Sequence, residues 1–163
     1  MSALLFSGCA LWPHHDKKPP GILRVHVESE TSSAGSTKTI SILRSKPVLV
    51  NISLEPILTE ADVTGAKIIG PDGAFDVQIT FKDTAGWQLE QYSATNPGKH
   101  LVIFGQWGDK PADGRWLAAP LIHRRMAGGV LTFTPDATHE EMETWVKGLD
   151  AHARANAPAK EKD

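Results

Sequence analysis

Two segments of this 163-residue chain contain side chains that are suited to binding a metal. His139-Glu140-Glu141-Met142-Glu143 is spaced like the zinc-protease motif H-E-x-x-H, in which two imidazoles one helical turn apart share a zinc ion. Glu143 occupies the position of the second histidine, so we interpret the segment as the acidic first turn of a helix. His14-His15-Asp16 offers imidazole and carboxylate ligands, but it lies in a polar stretch without further ligands, and we interpret it as spacer.

Hydrolytic and phosphate-binding signatures are equally incomplete. The chain has no G-x-S-x-G turn to expose a nucleophilic serine, and its seven histidines do not by themselves define a triad, which is a matter of geometry. Gly128-Gly129 is not followed by a phosphate-loop lysine, so we predict a tight turn there. We therefore predict no catalytic residue, no metal ligand and no cofactor. A small hydrolase with a pocket assembled by folding is the weaker alternative.

Aromatic and basic residues indicate binding rather than catalysis. Trp107 and Trp116 flank a polar loop in a predicted hairpin, where they either brace that loop or form an apolar platform for extended polypeptide. Arg124 and Arg125 follow His123 and could contact an anionic group, although adjacent arginines are more often plain surface charge. These two tryptophans and two arginines are our candidate partner-binding residues.

The remaining sequence cues concern the core and the composition. Trp87 and Trp145 fall on the apolar stripes of predicted helices, so we assign both to the core. A formal charge of −2 gives no footprint for nucleic acid, and no stretch reaches the about 18 apolar residues of a membrane-spanning helix. The hydrophobic content of 40% is that of an ordinary globular domain.

Cys9 is the only cysteine, and it follows Leu4-Leu5-Phe6-Ser7-Gly8. This segment resembles the lipobox of bacterial lipoproteins, in which the cysteine is lipidated and becomes the first residue of the mature protein. Residues 1–8 form a truncated-looking signal without Lys or Arg, so either the true start lies upstream or Cys9 is a plain thiol. We favour lipidation, because the proline-rich, polar stretch within residues 9–21 is typical of a tether. Ala10, rather than aspartate, favours the outer over the inner membrane.

The periodicity of apolar residues alternates between strand and helix patterns. Strands are predicted over residues 22–27, 39–43, 48–54, 66–69, 75–81, 101–107, 116–122 and 130–133. Residues 30–37 are predicted to be a hairpin loop. A short helix is expected after Thr59, a longer one over 84–95, and a third after Thr138, which has a capping-box spacing to Glu141. This order predicts an α+β fold with a mostly antiparallel sheet and two main helices packed on one face.

Residues 43–149 resemble the periplasmic first domain, and especially its head subdomain, of the SecD protein-export family. The matching segments are Pro56–Val63, like "P-x-L-T-x-x-D-I", then Ala118–Ile122, like "S-A-P-x-I", followed by Gly128-Gly129 and Phe133-Thr134. The resemblance implies a domain outside the cytoplasm that engages emerging preproteins. The loop before Ala118 is longer than in that family, and the membrane helices and intramembrane carboxylates of its proton-driven motor are missing from this sequence.

Together these observations predict a non-enzymatic, lipid-anchored protein of the bacterial cell envelope that faces the periplasm. Its expected parts are a signal (1–8), a tether (9–21), an N-terminal β region (22–54), a SecD-head-like domain (55–155) and a disordered tail (156–163). The expected partner is a polypeptide or an envelope protein, bound by strand addition at a sheet edge. Contact with the membrane is expected through the lipid on Cys9, and none with nucleic acid. The alternative is a structural subunit of an envelope complex.

Overall fold

The computed structural model describes residues 21–30 and 35–157 of the chain. Its strands and helices are β1 (Ile22–Val27), β2 (Thr37–Ile42), β3 (Val48–Ser53), β4 (Leu58–Thr59), β5 (Val63–Ile69), β6 (Asp76–Phe81), α1 (Asp83–Thr95), β7 (Leu101–Gln106), β8 (Gly114–Ala118), β9 (Val130–Phe133) and α2 (His139–Ala155). Short 3-10 turns span Glu60–Asp62 and Pro111–Asp113. The predicted α+β class, with antiparallel strands and two main helices, is confirmed.

The strands form three antiparallel sheets rather than one. The central sheet has the order β4-β1-β7-β8, β2 and β3 form a separate hairpin, and the third sheet has the order β5-β6-β9. The predicted hairpin across residues 30–37 is wrong, because β1 and β2 belong to different sheets. β1 instead pairs with β7 over six residue pairs, from Ile22↔Gln106 to Val27↔Leu101. Local turn composition cannot reveal a pairing over such a distance in sequence.

The central sheet is covered on both faces. Side chains alternate along a strand, so Leu101 and Ile103 of β7 face the main core under α2, whereas Val102 between them faces the opposite side. There the inner face of the β2–β3 hairpin packs on it with Ile40, Ile42, Val50 and Ile52. Burial on both faces explains why this part of β7 is an uninterrupted apolar run.

Helix α2 is the main support of the core. Its predicted capping box is present: the Glu141 amide donates to Thr138 Oγ1 at 3.3 Å, and the Thr138 amide donates to Glu141 Oε2 at 2.8 Å. Trp145 is 0% exposed, which confirms its assignment to the core. Its indole Nε1 donates to the Ile22 carbonyl at 2.8 Å, so the helix is bonded to the start of β1.

Three structural observations concern the expected segments of the chain. Gly21, which we placed in the tether, packs so closely on α2 that a Cβ there would collide with the backbone of Gly148 and Leu149. The division at residue 54 does not separate two units, because β1 lies between β4 and β7 in one sheet. Asn156, placed in the tail, caps α2 by donating its amide to the His152 carbonyl at 3.0 Å. Cys9, with the rest of residues 1–20, and the tail from 158 onward lie outside the described residues.

Candidate functional site

The connection from β8 to β9, residues 119–129, forms one wall of a surface groove. Its first half runs beside the start of β7, where the Leu101 amide donates to the Pro120 carbonyl at 3.1 Å. The Ile122 amide donates to the Lys99 carbonyl at 2.8 Å, and the Ile122 side chain is buried in the main core. These contacts fix the connection to the central sheet, so that residues 123–127 project from a rigid base.

The second half of the connection is attached to α1 through a buried serine. The Met126 amide donates to Ser93 Oγ at 2.8 Å, and Ser93 Oγ donates to the Glu90 carbonyl at 3.0 Å. Ser93 is buried, and these two bonds satisfy its hydroxyl. Arg125 forms an ion pair with Glu90 of the same helix. Residues 125 and 126 are therefore held against α1.

The connection ends in two glycines that directly precede β9. Gly128 and Gly129 have φ of +80° and +65°, a left-handed conformation that glycine adopts without a steric cost. The predicted tight turn at this pair is confirmed. Gly129 also touches Gly86 of α1, since a Cβ added to Gly86 would lie 2.9 Å from the Gly129 Cα. The absence of a side chain on both residues lets the helix and the turn meet backbone to backbone.

Strand β9 forms the opposite wall of the groove and has an open edge. It pairs with β6, and among the described residues no strand pairs with its other side. The Phe81 amide donates to the Gly129 carbonyl at 2.9 Å, so Leu131 and Phe133 continue the bonding to β6 in the alternating antiparallel pattern. The same alternation directs the amides and carbonyls of Val130 and Thr132 towards the groove.

The groove is a cavity of about 490 Å³ beside this edge, lined by His123, Arg124, Arg125, Met126, Val130 and Thr132 among others. It continues past Arg125 into a cavity of about 360 Å³ along Trp87, Glu90, Gln91 and Ala94 of α1. A third cavity of about 140 Å³ extends from Trp87 and Glu90 to Gly128 and Gly129. The three cavities share lining residues and form one surface, which we call the β9 groove.

Trp87 lies at the rim of the β9 groove and is 73% exposed. Its assignment to the core is wrong, because α1 buries Ala85, Gly86, Leu89 and Ser93 on a different side. Three of these buried residues are small, so the hydrophobic pattern did not mark the buried side. Trp87, Gln91 and Ala94 lie along one side of α1, and that side faces solvent and lines the groove.

The sequence-predicted tryptophan pair does not form one platform. Trp107 is 9% exposed and packs in the main core, with the Arg115 guanidinium 4.8 Å from its ring centroid. Trp116 is half-buried beside the hairpin, where its ring meets Phe104 edge-on at 5.3 Å. In the strand register Trp116 lies opposite Phe104 and not opposite Trp107. Trp107 belongs to the main core, whereas Trp116 packs against the cluster under the β2–β3 hairpin.

His26 lies beside Trp116 at the interface between the central sheet and the hairpin. It is buried, its Nδ1 lies 2.8 Å from the Ser53 carbonyl, and its ring meets Trp116 edge-on at 5.3 Å. Burial lowers the pKa of His26 below its ordinary value, and this effect outweighs the hydrogen bond to Ser53. His26 therefore favours the neutral imidazole, with Nδ1 donating to the carbonyl.

Arg124 and His139 have different surroundings on the surface. Arg124 is exposed in the groove and forms no ion pair within the described part of the chain. His139 lies 3.2 Å from Asp72 and 3.8 Å from Glu143, which is a surface charge cluster at the start of α2. Over residues 21–30 and 35–157, no group of three His, Cys, Asp or Glu side chains is arranged to hold a metal ion. His14-His15-Asp16 lies outside those ranges.

Comparison with known proteins gives the fold class first. No family model matches this sequence, and no curated protein matches it. Solved structures do match, and they place the chain among α+β domains built from antiparallel sheets and two helices. The fold is similar to that of the SecDF periplasmic region.

Two of these structures carry the comparison. The first, described as a membrane component SecDF that enhances protein export, is 21% identical, with a TM-score of 0.56 over 82% of this chain and 64% of that one. The second, SecDF in a super-membrane-facing form, is also 21% identical, with a TM-score of 0.57 over 82% of this chain and 19% of that one. This chain thus spans under two thirds of each. Within the described residues, no helix is long and apolar enough to cross a membrane.

Proposed function

We propose that this protein is a non-enzymatic, lipid-anchored component of the bacterial cell envelope that binds extended polypeptide in the β9 groove. The observation that carries this proposal is the open edge of β9 beside a cavity of about 490 Å³. The SecDF-like fold supports it, because SecDF is a membrane component that enhances protein export. Emerging envelope proteins, or an extended segment of a resident partner, are the ligands we propose.

Binding would use the backbone of β9. An extended segment beside this edge can form main-chain hydrogen bonds with Val130 and Thr132, and such bonds tolerate many sequences. The wall opposite the edge is already fixed by Ser93 and Ile122, so little of the protein has to be ordered on binding. Trp87 adds an exposed aromatic surface at the far end of the groove.

The test uses the full chain and a permanently unfolded polypeptide that is reduced, alkylated and fluorescently labelled. We expect saturable binding by fluorescence anisotropy, and we expect Trp87→Ala to weaken it at least fivefold. Leu49→Ala is the matched control, because Leu49 is an equally exposed apolar residue (72%) on β3, away from the groove. Failure of the wild-type chain to bind, or equal losses in the two variants, would contradict the proposal.

The anchor is tested separately from the groove. Expression in bacteria with a labelled fatty acid is expected to label the wild-type chain but not Cys9→Ala, and mass spectrometry should find a diacylated or triacylated Cys9 at the mature terminus. Acylation with several chains gives stable membrane association, whereas one chain gives only marginal binding. A mature protein that begins with unmodified Met1 would rule out lipidation at Cys9.

The alternative, a structural subunit of an envelope complex, draws on a different surface. Leu43, Val48 and Leu49 at the end of the β2–β3 hairpin are 39%, 44% and 72% exposed. Apolar residues clustered on a surface are typical of a protein interface. In-cell crosslinking from residue 49 and from residue 87 separates the two functions, since a structural subunit should crosslink to a constant partner through residue 49.

A further inference from the structure

We propose that the β9 groove selects extended segments that carry Asp or Glu. This inference rests on the proposed function and adds the chemical class of the ligand. The largest cavity of the groove contains His123, Arg124 and Arg125, and it has no Asp or Glu among its lining residues. This cavity therefore combines the open backbone edge of β9 with basic side chains and no acidic ones.

The two arginines are available to a ligand to different degrees. Arg124 is exposed and forms no ion pair with any residue that the structure describes, so its charge is uncompensated. Arg125 is paired with Glu90, yet its side chain is 67% exposed. A guanidinium has five N–H donors in a planar fork, so a contact to one carboxylate oxygen leaves donors for a second carboxylate.

Charge then decides which segments bind. A carboxylate next to Arg124 gains a charge-assisted hydrogen bond, and Arg–carboxylate geometry permits two parallel bonds. A lysine or arginine at the same place would face like charge, because the lining of this cavity contains no carboxylate and Glu90 of the adjoining cavity is paired with Arg125. Main-chain bonds to Val130 and Thr132 would supply affinity that depends little on sequence, and the arginines would supply the preference.

The open strand edge favours a polypeptide over other anionic ligands. Val130 and Thr132 present alternating donors and acceptors at the spacing of an extended chain, whereas a lipid headgroup or a free phosphate needs donors only. Vesicles of phosphatidylglycerol serve as the competing probe. Tight binding to these vesicles, reduced by Arg124→Gln, without binding to any peptide would overturn the proposal.

The experiment compares three labelled nine-residue peptides on a common Thr/Val background, with Glu, Gln or Lys at positions 4 and 6. In 50 mM NaCl we expect the Glu peptide to bind the full-length protein about five- to tenfold more tightly than the Gln peptide, and the Lys peptide to bind most weakly. This preference should largely disappear in 0.5 M NaCl, because at that ionic strength the attraction between exposed charges is screened over a distance of only a few ångströms. A fourth peptide, the Glu peptide N-methylated at alternate amides, should bind at least fivefold more weakly.

Arg124→Gln is the informative variant, because this side chain holds no other part of the described structure in place. It should reduce the Glu-to-Gln preference to about twofold or less, while Arg154→Gln, an exposed arginine near the end of α2, keeps it. Equal binding of the Glu and Gln peptides overturns the charge selection and leaves the proposed function standing. Unchanged binding of the N-methylated peptide overturns the use of the β9 edge. If neither peptides nor unfolded polypeptide bind, both proposals fail.

Discussion

Helices α1 and α2 each carry one tryptophan, and the two side chains lie in opposite surroundings. Trp145 of α2 is fully enclosed by the main core and donates a hydrogen bond to β1, whereas Trp87 of α1 is 73% exposed at the rim of the β9 groove. Helix α2 buries large residues (Met142, Trp145 and Leu149), whereas α1 buries mainly small ones. Small buried residues let α1 lie close to its neighbours, as Gly86 does at Gly129, while Trp87 stays on the exposed side. Helix α2 therefore supports the core, whereas α1 exposes the tryptophan that the proposed binding in the β9 groove would use.

The largest expected effect tests this division directly. Trp145→Ala should lower the free energy of unfolding by about 3–5 kcal/mol, because it leaves a cavity and removes the donor to the Ile22 carbonyl. Trp87→Ala should change it by less than about 0.5 kcal/mol, as for most surface substitutions. Urea denaturation of both variants provides the measurement. Similar losses of stability would show that the two helices are not divided in this way.

The contact between α1 and the turn before β9 gives the next largest effect. Gly86→Ala would place a Cβ 2.9 Å from the Gly129 Cα, so the helix and the turn must separate. We expect a loss of about 1–3 kcal/mol from overpacking, against a gain of up to about 1 kcal/mol from helix propensity. Thr84→Ala, at an exposed position of α1, is the control and should be nearly neutral. A more stable Gly86→Ala protein would mean that this contact is loose.

The two helix N-termini should respond differently to capping substitutions. Thr138→Ala should cost about 1 kcal/mol, because it removes the side chain that accepts from the Glu141 amide. At α1 the capping position is Lys82, whose side chain makes no capping bond, so Lys82→Ser should stabilise the protein by a few tenths of a kcal/mol up to about 1 kcal/mol. Thermal unfolding of both variants measures the two changes. A loss of stability in Lys82→Ser would indicate that Lys82 has a role at this terminus that capping does not explain.

The smallest expected effect is a pH dependence of stability from His26, which lies on the face of the central sheet that the β2–β3 hairpin covers. Folding lowers the pKa of His26, so its contribution to the free energy of unfolding should be fully present above pH 6.5, the ordinary pKa of histidine. This contribution should be lost as the pH falls through the lowered pKa of the folded state. Asp136 does not contribute over this range: burial would raise its pKa, but hydrogen bonds from Arg44 and the charge of Arg44 lower it overall. Urea denaturation at pH 7.5 and pH 5.5 should show a larger decrease for the wild type than for His26→Gln. Equal decreases would assign the pH dependence to other groups.

Features that depend on nearby residues could be predicted from the sequence. The Thr138–Glu141 capping box, the glycine turn at 128–129 and most strands follow local rules, and the structure contains them. Strand pairing depends on contacts far apart in the chain, so the division into three sheets and the position of β1 could not be derived from local patterns. The same limit applies to burial, since Trp87 and Trp145 occupy similar helical patterns and end in opposite surroundings.

The candidate site shows the same distinction. Adjacent arginines at 124 and 125 could be recognised as a possible binding feature, and both line the groove. The open edge of β9 could not be recognised, because it requires knowing that β6 pairs on one side and that no described strand pairs on the other. Ser93 gave no signal either, since a serine in a helix is marked as a support only when its partner, the Met126 amide, is known.

The close packing of Gly21 on α2 has a mechanical consequence. A force applied to the chain at Gly21 enters β1 directly, and β1 lies between β4 and β7 in the central sheet. The six residue pairs between β1 and β7 and the hydrogen bond from Trp145 to the Ile22 carbonyl would resist that force.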